Sequence, residues 1–217
     1  MALSNEQIER YSRQIIVPAM GGIGQERLLA ARLVIAGELG DVESVLAYLT
    51  GAGVGQISLI LPGVDAAAST PMIARMRDLN GDVSVNVATA IPADANLLLA
   101  ITGSTSALEV VRTLCAGRSG APLIFARLDQ PARIALIPMN PPCLGCADGN
   151  LLGPFSEHAG NAGMVAMIAT VEALKLMTGC MPSLKPALIE FNGYQVSVGE
   201  LRRAPASGCA CSPGDRP

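Results

Sequence analysis

The sequence predicts an α/β fold: a Rossmann-like, mostly parallel sheet with helices on both faces, an N-terminal helical extension and an antiparallel C-terminal portion. Three observations carry that prediction. Short apolar runs at 33–36, 56–61, 83–88, 95–102 and 122–126 alternate with helix-like stretches at 40–50, 69–79 and 106–116. Strands apolar on both faces and separated by helices belong to a parallel sheet covered above and below. The run at 33–36 leads through Gly37 into a helix, the strand–turn–helix outline of a nucleotide-binding unit. After Arg127 the alternation stops, and 132–138 reads as a strand turned against its predecessor.

Taken in order, Ser4-Asn5-Glu6-Gln7 is a capping box that opens a helix running to about Gln14. Pro18 and Gly21-Gly22 interrupt it, and 24–31 forms a second helix. The α/β core follows over 32–130. Beyond it, Pro141-Pro142-Cys143 turns the chain, 163–178 forms a long helix stopped by Gly179, and strands at 188–192 and 194–198 flank an Asn192-Gly193 hairpin turn. The tail from 204 to 217 is rich in Gly, Pro and Ser. The whole chain, 1–217, reads as one domain: N-terminal helices over 1–31, the core, and a knuckle-bearing C-terminal portion over 131–217.

Composition narrows the function. Half of the 217 residues are hydrophobic but only 3% are aromatic and none is Trp, so aliphatic side chains and Met must build the core. A net charge of −3 gives no electrostatic basis for binding nucleic acid or an anionic membrane. The mean hydropathy of +0.42 is high, yet the longest apolar stretch, 162–177, carries Glu172 and Lys175 and falls short of the ~20 residues of a span. The polar, acidic start of the chain has no leader pattern. A cytoplasmic protein with apolar surface covered by a partner is expected.

The glycine turn is damaged. A G-x-G-x-x-G spacing needs glycine at 37, 39 and 42; the chain has Gly37, Leu39 and Val42. The second glycine lets backbone approach a pyrophosphate and the third lets the helix close on the strand. Leu39 is expected to fill phosphate space. Asp41 is expected to act as a built-in anion at the helix N-terminus, repelling a nucleotide from a vestigial turn of Gly37, Gly40 and Asp41.

Six cysteines without a leader point to thiols or metal. Cys143-x-x-Cys146 and Cys209-x-Cys211 supply four thiolates, the number a closed structural zinc site takes. The second pair is one residue short of the usual spacing; the alternatives are tail thiols without metal, or a disulfide. His158 reads as a surface residue and Lys175 as a solvated one.

The order of these pieces resembles the ThiF/MoeB/HesA family, bacterial relatives of ubiquitin-activating enzymes. Arg10-Tyr11-Ser12-Arg13-Gln14-Ile15 is similar to the family's R-Y-x-R-Q-I opening, and Gly24-Gln25-Glu26 to its G-Q-E. Tyr48-Leu49 with Ala52-Gly53-Val54-Gly55 resembles Y-L-x-x-A-G-V-G. Cys143-Leu144-Gly145-Cys146 falls at the first C-x-x-C, and Cys209/Cys211 lies where a second is usual. Glu172-Ala173-Leu174-Lys175 with Thr178-Gly179 resembles E-A-I-K-x-L-x-G.

The resemblance implies an enzyme that binds ATP-Mg and adenylates the C-terminal Gly-Gly of a small ubiquitin-like sulfur carrier, for thiamine, molybdenum-cofactor or related sulfur transfer. The residues the family uses are largely missing here. Leu61-Pro62-Gly63 stands where an Asp-x-Asp holds the ribose, and 66–78 has no Asn, Arg-Gln or Lys for the phosphates, only Arg75 and Arg77. Ile101-Thr102-Gly103-Ser104 lacks the magnesium aspartate, and 151–161 has no cysteine. Phosphoryl-type chemistry rests on positioned cations and metal ligands, so ATP-Mg is not expected to bind. Arg13 matches an arginine that in the family crosses the dimer to the partner's nucleotide; its bland alternative is a local pair with Glu9. The sequence therefore points to a non-catalytic subunit with a structural zinc. It would dimerise with itself or with an intact homologue and would dock a small sulfur carrier. An active adenylyltransferase is the alternative, and an NAD(P)-dependent oxidoreductase a distant third.

Overall fold

The computed structural model describes residues 2–116, 121–138, 143–145, 147, 151–156, 159–180, 184–193 and 195–202. Eight strands form one sheet in the order β3-β2-β1-β4-β5-β6-β7-β8. β1 (Arg32–Gly37), β2 (Gln56–Ile60), β3 (Ser84–Val87), β4 (Leu97–Thr102) and β5 (Leu123–Arg127) are parallel. β6 (Ala132–Ile137), β7 (Ala187–Asn192) and β8 (Gln195–Gly199) continue it antiparallel. The predicted fold class and the change of direction after Arg127 both hold.

Every residue of β4 and β5 is buried, as the uninterrupted apolar runs required. One face of the sheet packs under α4 (Leu39–Ala52), α5 (Ala66–Leu79) and α7 (Ala162–Thr178), and the other under α6 (Thr105–Ala116) with Leu144, Leu151 and Leu201. The sheet order reverses between β1 and β4, so the crevice of this fold lies outside the C-terminal ends of those two strands.

Several expected boundaries move, each for a local reason. The first helix is split into α1 (Asn5–Arg10) and α2 (Ser12–Ile15), because Tyr11 leaves the helical path to enter the core. The Ser4/Gln7 capping box is present as read. Gly21-Gly22 begin α3 (Gly21–Ala30) rather than separating helices. α5 starts three residues before the expected position, since Asp65 caps it by accepting from the Ala67 amide, and Pro71 is carried inside it. Asn192 pairs with Gln195 as the last rung of the β7–β8 ladder, so the hairpin turn begins at Gly193, one residue later than expected.

Candidate functional site

Two regions hold most of the residues singled out from the sequence, one at each end of the parallel strands. The first is the crevice at the C-terminal ends of β1 and β4. Gly37 is the one fingerprint glycine kept, and packing requires it: a Cβ there would collide with the Ile101 carbonyl and sit 2.8 Å from Val42 Cγ1. A Cβ on Gly40 would meet nothing within 4 Å.

The acids Glu38, Asp41 and Glu43 crowd this turn, and Glu38 is the one that bonds across it. Leu39 leans back onto the core under α4. Asp41 lies in the first turn of α4, its carboxylate pressed against Gly103, where a Cβ would overlap it. Glu38, the N-cap residue of α4, makes no cap bond to its own helix. Its Oε1 instead accepts from the hydroxyls of Ser104 and Ser106, the latter at 3.2 Å, across the crevice at the start of α6. Ser104 Oγ in turn accepts from the Ala107 amide at 3.2 Å, and the two serine oxygens are 2.9 Å apart. A carboxylate thus stands at a helix N-terminus, where backbone amides and the helix dipole favour an anion. Arg75 is held in an ion pair with Glu43 on α4, and Arg77 is exposed.

The second region is the N-terminal edge, where three of the resembling motifs meet. Tyr11 is fully buried; its hydroxyl donates to Asp82 Oδ2 (3.1 Å) and accepts from Asn80 Nδ2 (2.9 Å). Asn80 also donates to the Thr50 carbonyl at 2.7 Å, while Arg10 and Gln7 reach Asp82 from the solvent side. Burial raises the Tyr11 phenol above its ordinary pKa, and Asp82 adds to the rise against the opposing bond from Asn80. Gly53, at φ +90°, ends α4 directly against this ring: a Cβ would lie 2.8 Å from Tyr11 Cε1 and from Gln25 Nε2. Gln25 donates to the Ala52 carbonyl at 3.0 Å. The R-Y, G-Q-E and A-G-V-G motifs are one anchor for the N-terminal helices.

Two residues beyond Tyr11, Arg13 is exposed on α2 and makes no ion pair with Glu9 or with any other described residue. It borders an apolar groove of about 510 Å³ shared with Val17, Tyr48, Gly51, Leu79 and Leu174. That places Arg13 beside the last turn of α4, whereas Glu38 is at the first. The 14 residues of α4 span ~21 Å, so Arg13 cannot reach the crevice of its own chain.

A site that sequence reading missed lies at the end of β5. Arg127, 1% exposed, donates through Nε and Nη2 to Asp129 (2.6 and 2.5 Å) and through Nη1 and Nη2 to the carbonyls of Leu151, Gly153 and Pro154 (3.0, 2.9 and 2.5 Å). Its guanidinium carbon lies 5.2 Å from the centroid of Phe155. Asp129 accepts further from the amide and hydroxyl of Ser156. Burial alone would raise the Asp129 carboxyl, but the Arg127 bonds and the Ser156 amide outweigh it and hold it below the usual carboxylate range.

Of the four expected zinc ligands, Cys146, Cys209 and Cys211 lie outside the described residues, as does His158. Cys143 is half-buried, its carbonyl accepts from the Ala147 amide at 2.9 Å, and Leu144 beside it is buried.

No family model matches the chain. Among curated proteins it is similar to the adenylyltransferase and sulfurtransferase UBA4 of Yarrowia lipolytica, 27% identical over 236 residues, covering 89% of this chain and 58% of that protein. It is 28% identical over 260 residues to the adenylyltransferase and sulfurtransferase MOCS3 of Bos taurus, covering 100% and 55%. The vegetative HesA protein of Trichormus variabilis is 27% identical over 234 residues, covering 92% and 87%. The chain thus spans little more than half the length of UBA4 and MOCS3. Among solved structures, E. coli MccB superposes with a TM-score of 0.70 at 17% identity, covering 96% of this chain and 73% of that one. PaaA superposes at 0.64 and 18%, covering 94% and 76%. The fold matches that of MccB and PaaA, and the relatives UBA4, MOCS3 and HesA support the resemblance to the ThiF/MoeB/HesA family read from the sequence. No helix among the described residues is long and apolar enough to cross a membrane.

Proposed function

We propose that this chain is a non-catalytic subunit of the ThiF/MoeB type, which dimerises with itself or with an intact homologue and docks a small ubiquitin-like sulfur carrier. The observation that carries the reading is the Glu38 carboxylate held by Ser104 and Ser106 in the crevice. A nucleotide's phosphates would meet that charge and Asp41; Arg75 is engaged by Glu43, and position 103 is glycine where the family has its metal aspartate. ATP-Mg is therefore not a cofactor on this reading.

The names of the relatives favour a second reading, a working adenylyltransferase that activates a carrier C-terminus through unfamiliar contacts. ATP–pyrophosphate exchange with a carrier present separates the two. The non-catalytic reading expects no exchange above background and no calorimetric ATP-Mg binding; micromolar binding to the isolated chain overturns it.

The dimer reading rests on an apolar face. Along α7, Met164, Met167, Ile168, Val171 and Leu174 recur at helical spacing, and Met164 and Val171 are nearly half exposed. Beside them lie Tyr48 on α4 and Val17, with Ile16 76% exposed. Clustered exposed apolar side chains of this kind mark a surface that another protein covers. Zinc would be held by Cys143, Cys146, Cys209 and Cys211, stapling the C-terminal segment to the domain and supplying no chemistry. Metal analysis of tag-free protein is expected to give one zinc per chain; a value near zero with all six thiols free removes the site.

A further inference from the structure

The groove beside Arg13 has the form of a small-molecule site. Its volume of about 510 Å³ lies within the roughly 300–1,000 Å³ usual for such sites. The apolar lining carries one aromatic ring, Tyr48; Leu28, 1% exposed, is its most buried apolar member, with Val17, Leu79 and Leu174 around it. Arg13 supplies a cation at the groove and forms no ion pair with a described residue. Gly51 keeps the space open. Apart from proline, glycine is the residue least favoured within a helix, and no neighbour demands it here. A Cβ at 51 would meet nothing within 4 Å, and the left-handed turn that ends α4 is made by Gly53. An apolar concavity with a single guanidinium is matched by a ligand with an apolar body and one anionic head. A carboxylate suits that head, because the guanidinium fork meets its two oxygens in parallel hydrogen bonds. A phosphate would bring a second charge that no other lining residue offsets.

We infer that this groove binds a small aliphatic carboxylate, its chain lying against Leu28, Tyr48, Leu79 and Leu174 and its head bonded by Arg13. With a single ring in the lining there is no pair of aromatic faces to hold a flat ligand, so a flexible chain is the better occupant. The inference goes beyond the reading above and does not rest on it, since the groove lies at the other end of α4 from the crevice. A second copy of this chain seated on the same face is the competing occupant and would exclude the ligand.

Calorimetric titration of the full chain tests this, with decanoate and decyltrimethylammonium as probes of equal chain length and opposite head charge, both below their micelle concentrations. The native protein is expected to take up one decanoate per chain and to bind the cationic probe about tenfold more weakly or worse, the lower range for a hydrogen bond to a charged group. Arg13→Gln should weaken decanoate by about the same factor and should not weaken the cationic probe. Gly51→Leu should fill the groove and abolish uptake of both probes while keeping the native circular dichroism spectrum. Where it does not fold, Val17→Glu, on a half-exposed wall, sets a carboxylate against that of the ligand and should weaken decanoate alone. No saturable decanoate uptake, equal affinity for the two heads, or an Arg13→Gln or Gly51→Leu variant that folds and binds decanoate like native each overturns the inference. A native chain whose dimer excludes decanoate overturns it as well and hands the groove to a second copy.

Discussion

Replacing Arg127 by alanine is expected to bring this protein close to unfolding, and the structure lets the size of the effect be worked out. The guanidinium has five N–H groups, and five bonds are described for it: two to Asp129 and one each to the carbonyls of Leu151, Gly153 and Pro154. Truncation leaves the Asp129 carboxylate, 2% exposed, without its cation. Breaking a buried pair from one side costs about 3–5 kcal/mol. The three carbonyls add to this, at about 1–3 kcal/mol for each one that stays dry. Water entering the vacated space recovers part of that, so the net loss is on the order of 5 kcal/mol, a large share of the 5–15 kcal/mol that holds a typical domain together. Urea unfolding followed by circular dichroism measures it. The paired change Arg127→Met with Asp129→Leu removes the orphaned charge but not the orphaned carbonyls, so it should lose clearly less than Arg127→Ala. A single-variant loss below about 1.5 kcal/mol, the ordinary range for a surface substitution or one neutral hydrogen bond, refutes the reasoning.

Asp129 also makes a pH prediction. Its carboxyl is held below the ordinary value, so its contribution is complete above about pH 3.9, the unfolded value, and is lost as pH falls through the lower folded value. In acid titration of stability, Asp129→Asn should start less stable and show a shallower loss below about pH 4 than native. Tyr11→Phe keeps the ring against Gly53 but removes the hydroxyl from Asn80 and Asp82. It should cost about 1–3 kcal/mol in thermal or urea unfolding, and a cost near zero would mean that the bonds do not anchor the helices. Gly37→Ala and Gly40→Ala should differ in sign. The first collides with the Ile101 carbonyl and destabilises, whereas the second points into open space in a helix and gains about 0.4–1 kcal/mol; equal effects contradict the assigned turn.

The sheet was legible because β1, β4 and β5 are apolar on both faces, the pattern of a covered parallel sheet, and because Gly179 and the Ser4 capping box are clear stops and starts. The start of α5 was read three residues late, because its cap, Asp65, lies upstream of an unremarkable Ala-Ala-Ala run. The crevice was half legible. That the chain departs from the family's motifs at Leu61-Pro62-Gly63 and Gly103 could be read position by position. That Glu38 reaches across to Ser104 and Ser106 depends on side-chain direction at a single N-cap residue, which no spacing rule fixes. The Arg127 knot was invisible: an arginine ending an apolar strand looks solvated until residues two dozen positions later fold over it. Its one local hint was Asp129, two residues on along the same strand edge. The resembling motifs were recognised one by one, but only the folded chain shows that three of them form a single anchor around Tyr11.

A protein that borrows its counter-ion from solution is steadied by an amount that rises with the logarithm of that solute's concentration. Glu38 is joined to its serines by the chain itself, so its local supply never varies. On the reading proposed, the persistence of this protein should be indifferent to the energy charge of the cell, and starvation that empties the crevices of its nucleotide-dependent relatives should leave it unchanged.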